Sequence, residues 1–183
     1  MDIKRLSVTD YRFKKFVEKF REEVDPDDHM YDWLDDKKLS RINSVVSIIH
    51  NNQVVGVSCE KIYENRYLRI GSPNYVLKPF RTVYPNSLFL KHGLFSKHIE
   101  KAQKENLEIF FSIHVYNKRM RLHAQNFYKR RISSDLKNLD YLDDVKFLGV
   151  HDFHYVPQHI FSYNVADTQD LLETIGRTNE THR

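Results

Sequence analysis

Hydrophobic and polar positions follow two rhythms along this chain, and the points where one rhythm replaces the other outline its elements. Tyr11, Phe13, Phe16, Val17 and Phe20 recur at roughly helical spacing with Lys and Glu between them, which predicts a helix from a Ser7 or Thr9 cap to about Val24. Pro26 and the acids around it end that pattern, and Tyr31 to Leu39 reads as a second short helix carrying Trp33 and Leu34 inward. The rhythm then changes. SVVSIIH and QVVGVSCEKIY are β-branched runs joined by Asn51-Asn52, a hairpin signal because Asn tolerates the positive φ of a tight turn. A further strand begins at Tyr67, and Gly71-Ser72-Pro73 within it predicts an edge or a bulge.

Asn86 to about Lys104 is the strongest helical segment, with Leu88, Leu90, Leu94, Phe95, His98, Ile99 and Ala102 on or near one face. Gly93 inside it costs about 1 kcal/mol relative to Ala, little beside the burial of that face. Glu108 to Tyr116 reads as a strand, and Lys118 to Arg131 as a helix with Met120, Ala124, Phe127 and Tyr128 as its inner stripe. VKFLGVHDFHYV and HIFSYNV form two last strands around Pro157. From Ala166 onward only DLLETI offers apolar residues, so a frayed short helix is expected. There is no internal repeat. The order ααββ(β)αβαββ, with mostly antiparallel pairings, places the chain in the α/β class: a mixed sheet flanked by helices.

Composition narrows this reading. At 183 residues, 40% hydrophobic and 13% aromatic, the chain can bury one substantial core. A single domain over residues 1–165 is expected, followed by a partly disordered tail, 166–183. The net charge of +4 is too small to argue for nucleic-acid binding by itself, and phosphate-bearing small molecules fit it equally well. Cys59 is the only cysteine, which excludes an intramolecular disulfide framework. No apolar run has the length of a signal sequence or a membrane span, so a soluble, cytoplasmic protein is expected.

Three clusters are weighed for chemistry. His151, His154 and His159 suggest a metal site, but His151 and His154 would face opposite sides of a strand and Pro157 redirects the chain, so no metal is expected. DPDD lacks the glycine and bidentate glutamate of a calcium loop. KRMRLHAQNFYKRR has the composition of a nucleic-acid helix, yet its apolar positions are needed inward.

The segment Tyr67 to Tyr128 carries more. A strand emptying onto a helix N-terminus is a common way to hold a phosphate, since backbone N–H groups and the helix dipole both point at the ligand. Val76, Leu77 and Pro79 form the strand exit, Arg81 follows, and AQNFYKRR closes the second helix. Over roughly Ile42 to Asn164 this order resembles the GNAT acyltransferases. Val76, Leu77 and Pro79 occupy that family's strand exit, and Arg81 the first position of its R/Q-x-x-G-x-G/A loop. The loop's two small positions fall on Tyr84 and Asn86, where Pro85 also removes an N–H. Ala124 and Tyr128 match the family's A-x-x-L/F-Y motif, while its later Gly-Phe falls on Ile132 and Ser133.

The resemblance implies an N-acetyltransferase with acetyl-coenzyme A as donor substrate and a primary amine of a small molecule or protein as acceptor. It implies that Arg81 and the amides of Asn86, Ser87 and Leu88 bind the donor beside Tyr84. The carbonyl oxygen would lie at Val76 and Leu77, and Tyr128 would protonate the departing thiolate. Glu60 and His114 are the candidate bases for the acceptor. The missing glycines leave a second reading open: an inactive binding module on the same framework, contacting nucleic acid or an acidic partner. Eight carboxylates between Glu22 and Asp36 point to a cationic acceptor.

Overall fold

The computed structural model describes residues 2–25, 36–81, 94–115 and 145–180. The fold is α/β, with mostly antiparallel strands flanked by helices, as expected. It divides into two compact units, one formed by residues 1–62 and 68–107 and the other by residues 63–67 and 108–183.

In the first unit the strands lie in the order β1 (Asp2–Leu6), β2 (Ser44–His50), β3 (Gln53–Tyr63), β4 (Tyr67–Val76). Strand β1 is an addition to the sequence reading. It pairs antiparallel with β2, Leu6 opposite Val45 and Asp2 opposite Ile49. The β2–β3 hairpin turns through Asn51 and Asn52 at φ of 47° and 62°, the left-handed values their sequence predicts. Both faces of β2 are buried because helices cover both sides.

On one side lies α1 (Tyr11–Glu23). Asp10, not Ser7 or Thr9, caps it by accepting the Arg12 N–H at 2.8 Å; the Ser7 and Thr9 hydroxyls instead hold each other. Phe13, Phe16, Val17 and Phe20 pack on Val45, Val57, Cys59, Tyr75 and Leu77. On the other side α3 (Leu94–Glu105) sets Leu94 against Val46, Ile48, Val55 and Val76. Gly56 makes this layer possible: a Cβ there would stand 3.0 Å from Ile48 Cδ1 and 3.1 Å from Val76 Cγ2. Strand β4 runs on through Gly71, whose φ of +79° marks the irregularity expected near Pro73. Between α1 and β2, a single turn of helix, α2 (Asp36–Leu39), is the described part of the expected second helix; Trp33 and Leu34 lie outside the described residues. So do Asn86–Gly93 and the expected helix Lys118–Arg131.

In the second unit the order is β5 (Glu108–His114), β7 (Val156–Tyr163), β6 (Val145–Phe153), with antiparallel pairing throughout. The expected frayed tail is a full helix, α4 (Thr168–Glu180). Asp167 caps it, accepting the N–H groups of Gln169 and Asp170 at 3.1 Å. Leu171 and Ile175, one turn apart, enter the core of Tyr67, Phe110, Phe153 and Ile160. Asp170 accepts from Tyr67 Oη and Arg66, both at 2.6 Å, and Arg177 pairs with Glu64. The apolar pair was visible in DLLETI; its polar anchors are about a hundred residues away in sequence.

Leu171→Ala should therefore destabilise the protein by about 2–5 kcal/mol, the range for emptying a buried leucine site. Equilibrium urea unfolding checks this, and a change under 0.5 kcal/mol, the size of a surface substitution effect, would contradict the assignment of α4 to the core.

Candidate functional site

The exit of β4 is built by three contacts. Leu77 N–H donates to Val55 O at 2.9 Å, so Leu77 presents its backbone to β3. Adjacent strand residues face opposite edges, and the N–H and C=O of Val76 therefore point away from β3. Its carbonyl accepts from Arg81 Nε at 2.8 Å, and the Arg81 guanidinium lies 4.8 Å from the Tyr75 ring centroid. A 3-10 turn, Lys78–Phe80, separates them, with Pro79 at its start. Its leading amide is taken: Lys78 N–H donates to Glu23 Oε2 at 2.9 Å, and Tyr75 Oη donates to the same oxygen at 3.3 Å. Burial, with lesser help from Glu23, raises the Tyr75 pKa and keeps the phenol protonated.

This exit thus offers a fixed guanidinium beside an outward backbone edge. Glu23, one of the eight carboxylates grouped with a cationic acceptor, is committed to holding it. Tyr84, Asn86, Ser87 and Leu88 lie outside the described residues, as does Tyr128.

Glu60, a candidate base, is fully buried on the face of β3 beneath α3. Arg5 donates to it twice, from Nε at 3.2 Å and Nη2 at 2.9 Å. Ser44 Oγ and Lys101 Nζ both donate to Oε2, and His98 Nδ1 lies 2.7 Å from Oε1. Burial raises the pKa of this carboxyl, but hydrogen bonds from His98, Arg5 and Ser44 outweigh it, and the net shift is well below the usual 4.5. A buried, saturated carboxylate of that kind is a poor proton acceptor. The geometry gives Glu60 a structural part in place of the expected basic one.

His98 completes a line. Its Nε2 lies 2.7 Å from Ser58 Oγ. Burial lowers its pKa below 6.5 against the opposing pull of Glu60, so the ring is neutral at pH 7. Ionised Glu60 can only accept, so Nδ1 carries the proton and Ser58 donates to Nε2. Arg5, Ser44, Ser58 and Lys101 were not singled out from sequence. The available signal was a polar Ser and Glu inside the apolar run of β3, and His98 inside the apolar stripe of α3.

His114, the other candidate base, is half-buried at the end of β5, opposite Gln158. His151 reaches the Leu148 carbonyl at 2.9 Å, and His154 lies 3.4 Å from Tyr63 Oη. Among the described residues no three His, Cys, Asp or Glu side chains are grouped to hold a metal. Burial pushes the Cys59 thiol far up, which leaves it unreactive. No described helix is long and apolar enough to cross a membrane.

The network makes stability depend on pH in two steps. Above 6.5 His98 is neutral folded or unfolded; as pH falls through 6.5 the unfolded chain takes up a proton that the folded protein resists. The contribution of ionised Glu60 is present above 4.5 and is lost as pH falls below it. The urea midpoint should hold steady above pH 7, decline from about 6.5 and decline faster below about 4.5. His98→Asn should flatten the upper decline; parallel curves for variant and wild type would remove His98 as its source.

No protein-family model matches the chain, and no curated protein matches it. Solved structures do. Arabidopsis thaliana Naa50, in complex with the bisubstrate analogue CoA-Ac-MVNAL, matches 90% of this chain and 100% of its own at 15% identity and a TM-score of 0.57. The aminoglycoside 6'-N-acetyltransferase of Enterococcus faecium matches 89% of this chain and 96% of its own, at 10% identity and 0.53. An acetyltransferase of the GNAT family from Streptococcus pneumoniae matches 88% and 96%, at 12% identity and 0.54. These likenesses span nearly the whole of each chain and establish the architecture: this chain has the GNAT fold.

Proposed function

We propose that the protein is an N-acetyltransferase that moves an acetyl group from acetyl-coenzyme A to a primary amine of a small molecule or protein. The observation that carries this reading is the exit of β4, where the outward edge of Val76 stands beside the fixed guanidinium of Arg81 in a fold shared with acetyltransferases. One of those, Naa50, was solved with an analogue containing coenzyme A.

In this reading the Val76 N–H receives the thioester carbonyl oxygen as negative charge develops there. Such a donor contributes about 100-fold to 1,000-fold in rate. Leu77, its own N–H engaged by Val55, serves as an apolar wall. Arg81 faces the pyrophosphate together with the amides of Asn86, Ser87 and Leu88, beside Tyr84. The acceptor amine attacks the carbonyl, the C–S bond breaks, and the Tyr128 phenol gives its proton to the departing thiolate. Removal of the amine proton falls to His114, because Glu60 is closed off and held ionised.

Two variants separate binding from transfer. Arg81→Ala should raise the acetyl-coenzyme A dissociation constant well above the effect of Lys14→Ala on the exposed side of α1, by calorimetry. Equal effects would mean that cations act only as a diffuse field. Tyr128→Phe should keep binding and slow turnover about 100-fold to 10,000-fold, the range for a general acid; unchanged turnover removes Tyr128 from the mechanism.

The acceptor should be cationic. Glu23 is spent on Lys78, and the expectation of a cationic acceptor rests on the eight acids that the sequence groups between Glu22 and Asp36. Attraction through a summed field falls with ionic strength. A panel of cationic, neutral and acidic amines at low and high salt should favour a cation at low salt; a preferred neutral or acidic acceptor overturns this.

A further inference from the structure

We propose that the Ser58–His98–Glu60 line is a positioning device that holds the first turn of α3 on the exit of β4 and thereby sets affinity for the acyl donor. The inference rests on the reading of that exit as the donor site. Leu94, His98 and Lys101 are spaced i, i+4, i+7 and form one stripe on α3. At the head of the stripe Leu94 packs with Val76, and Phe80 joins the same cluster. One turn on, His98 is bound at both ring nitrogens; further along, Lys101 donates to Ser44 at 2.9 Å and to Glu60 at 3.2 Å. Arg5 adds a main-chain tie, donating to the Lys97 carbonyl at 2.6 Å.

Apolar contact is non-directional and leaves a helix free to slide or roll by small amounts. A ring held at two opposite atoms does not. Among the described residues, the charged groups that act on His98 are Arg5 from β1, Glu60 from β3 and Lys101 from α3 itself, while Lys97 is turned to Glu100. Lys101 and Arg5 converge there on Glu60, so a displaced α3 would carry Lys101 off its acceptors.

Serine, histidine and glutamate in this order also describe a nucleophile, base and acid. Ser58 and His98 are only 2% and 1% exposed and lie between β3 and α3, so no carbonyl carbon reaches Ser58 Oγ while α3 is in place. The line is a strut.

The test compares His98→Phe, which removes both ring hydrogen bonds, with His98→Asn, which retains a donor toward Glu60, and with Ser58→Ala. Calorimetry gives the acetyl-coenzyme A dissociation constant, steady-state kinetics gives kcat and KM, and hydrogen exchange reports α3 against α1. His98→Phe should raise the dissociation constant and the donor KM about tenfold, a change of about 1.4 kcal/mol, while leaving kcat within about twofold; His98→Asn should restore most of the loss. Exchange should quicken in α3 and not in α1. Should His98→Phe fail to fold, Ser58→Ala carries the same comparison with a smaller shift. A drop in kcat at unchanged KM, an unchanged dissociation constant in a folded variant, or labelling of Ser58 by a fluorophosphonate would overturn the proposal. If the wild type binds no acetyl-coenzyme A, the donor reading fails by itself, and exchange then decides the strut: selective loss in α3 upholds it and uniform loss overturns it.

Discussion

One buried carboxylate organises the first unit. Glu60 has no exposed surface, and an ionised group taken from water without partners costs several kcal/mol or more. Its partners must come from whatever elements surround it, and here they come from β1, β2 and α3. This explains why β1, a five-residue edge strand whose only buried residue is Leu6, belongs to the layer at all. Arg5 ties it to β3 across the intervening strand. The two faces of the same layer consequently rely on different physics. Stacked and edge-on aromatics hold α1, with Phe20 and Tyr75 centred 4.7 Å apart, whereas directional bonds to charged groups hold the middle of α3.

The same accounting governs the carboxylates and cations that look chemical in the sequence. Glu60 stands where a base would be sought and is spent on four donor side chains. Glu23 belongs to an acidic segment that looks poised to attract a cation, yet it receives the leading amide of the 3-10 turn and the Tyr75 hydroxyl. Arg81, read in the sequence as a ligand for the donor's pyrophosphate, leans on its own strand. In each case burial or a neighbouring backbone group outcompetes water for the side chain, and sequence composition does not record that competition.

Much of the fold was nevertheless legible. The hairpin at Asn51-Asn52 and helix α1 follow from period and turn chemistry that act over a few residues. The order of elements was enough to suggest the GNAT fold. Strand β1 was missed because Leu6 is its only buried residue and Asp2, Lys4 and Arg5 are exposed, which leaves no visible period of two. The cap of α1 was placed one to three residues early because Ser7, Thr9 and Asp10 are all good caps, and only backbone direction chooses among them. The Glu60 network was out of reach for another reason: Arg5 and His98 are 55 and 38 residues from it in sequence. Nothing local announces that they meet.

The missing glycines acquire a physical meaning once Arg81 is seen in place. A glycine-rich loop binds phosphate by letting many backbone N–H groups approach closely, each contributing a partial charge. With Tyr84 and Asn86 at the loop's small positions, Pro85 lacking an N–H, and the Lys78 amide already given to Glu23, fewer such donors are available to an acyl donor here. Under the acyltransfer reading, a full positive charge must do more of the binding, and it does so best if immobilised beforehand, since ordering a free arginine on binding costs conformational entropy. The Tyr75 ring and the Val76 carbonyl supply that immobilisation. The site would thus exchange a diffuse cradle of amides for one anchored guanidinium, and its binding would depend more on salt than that of a glycine-rich relative.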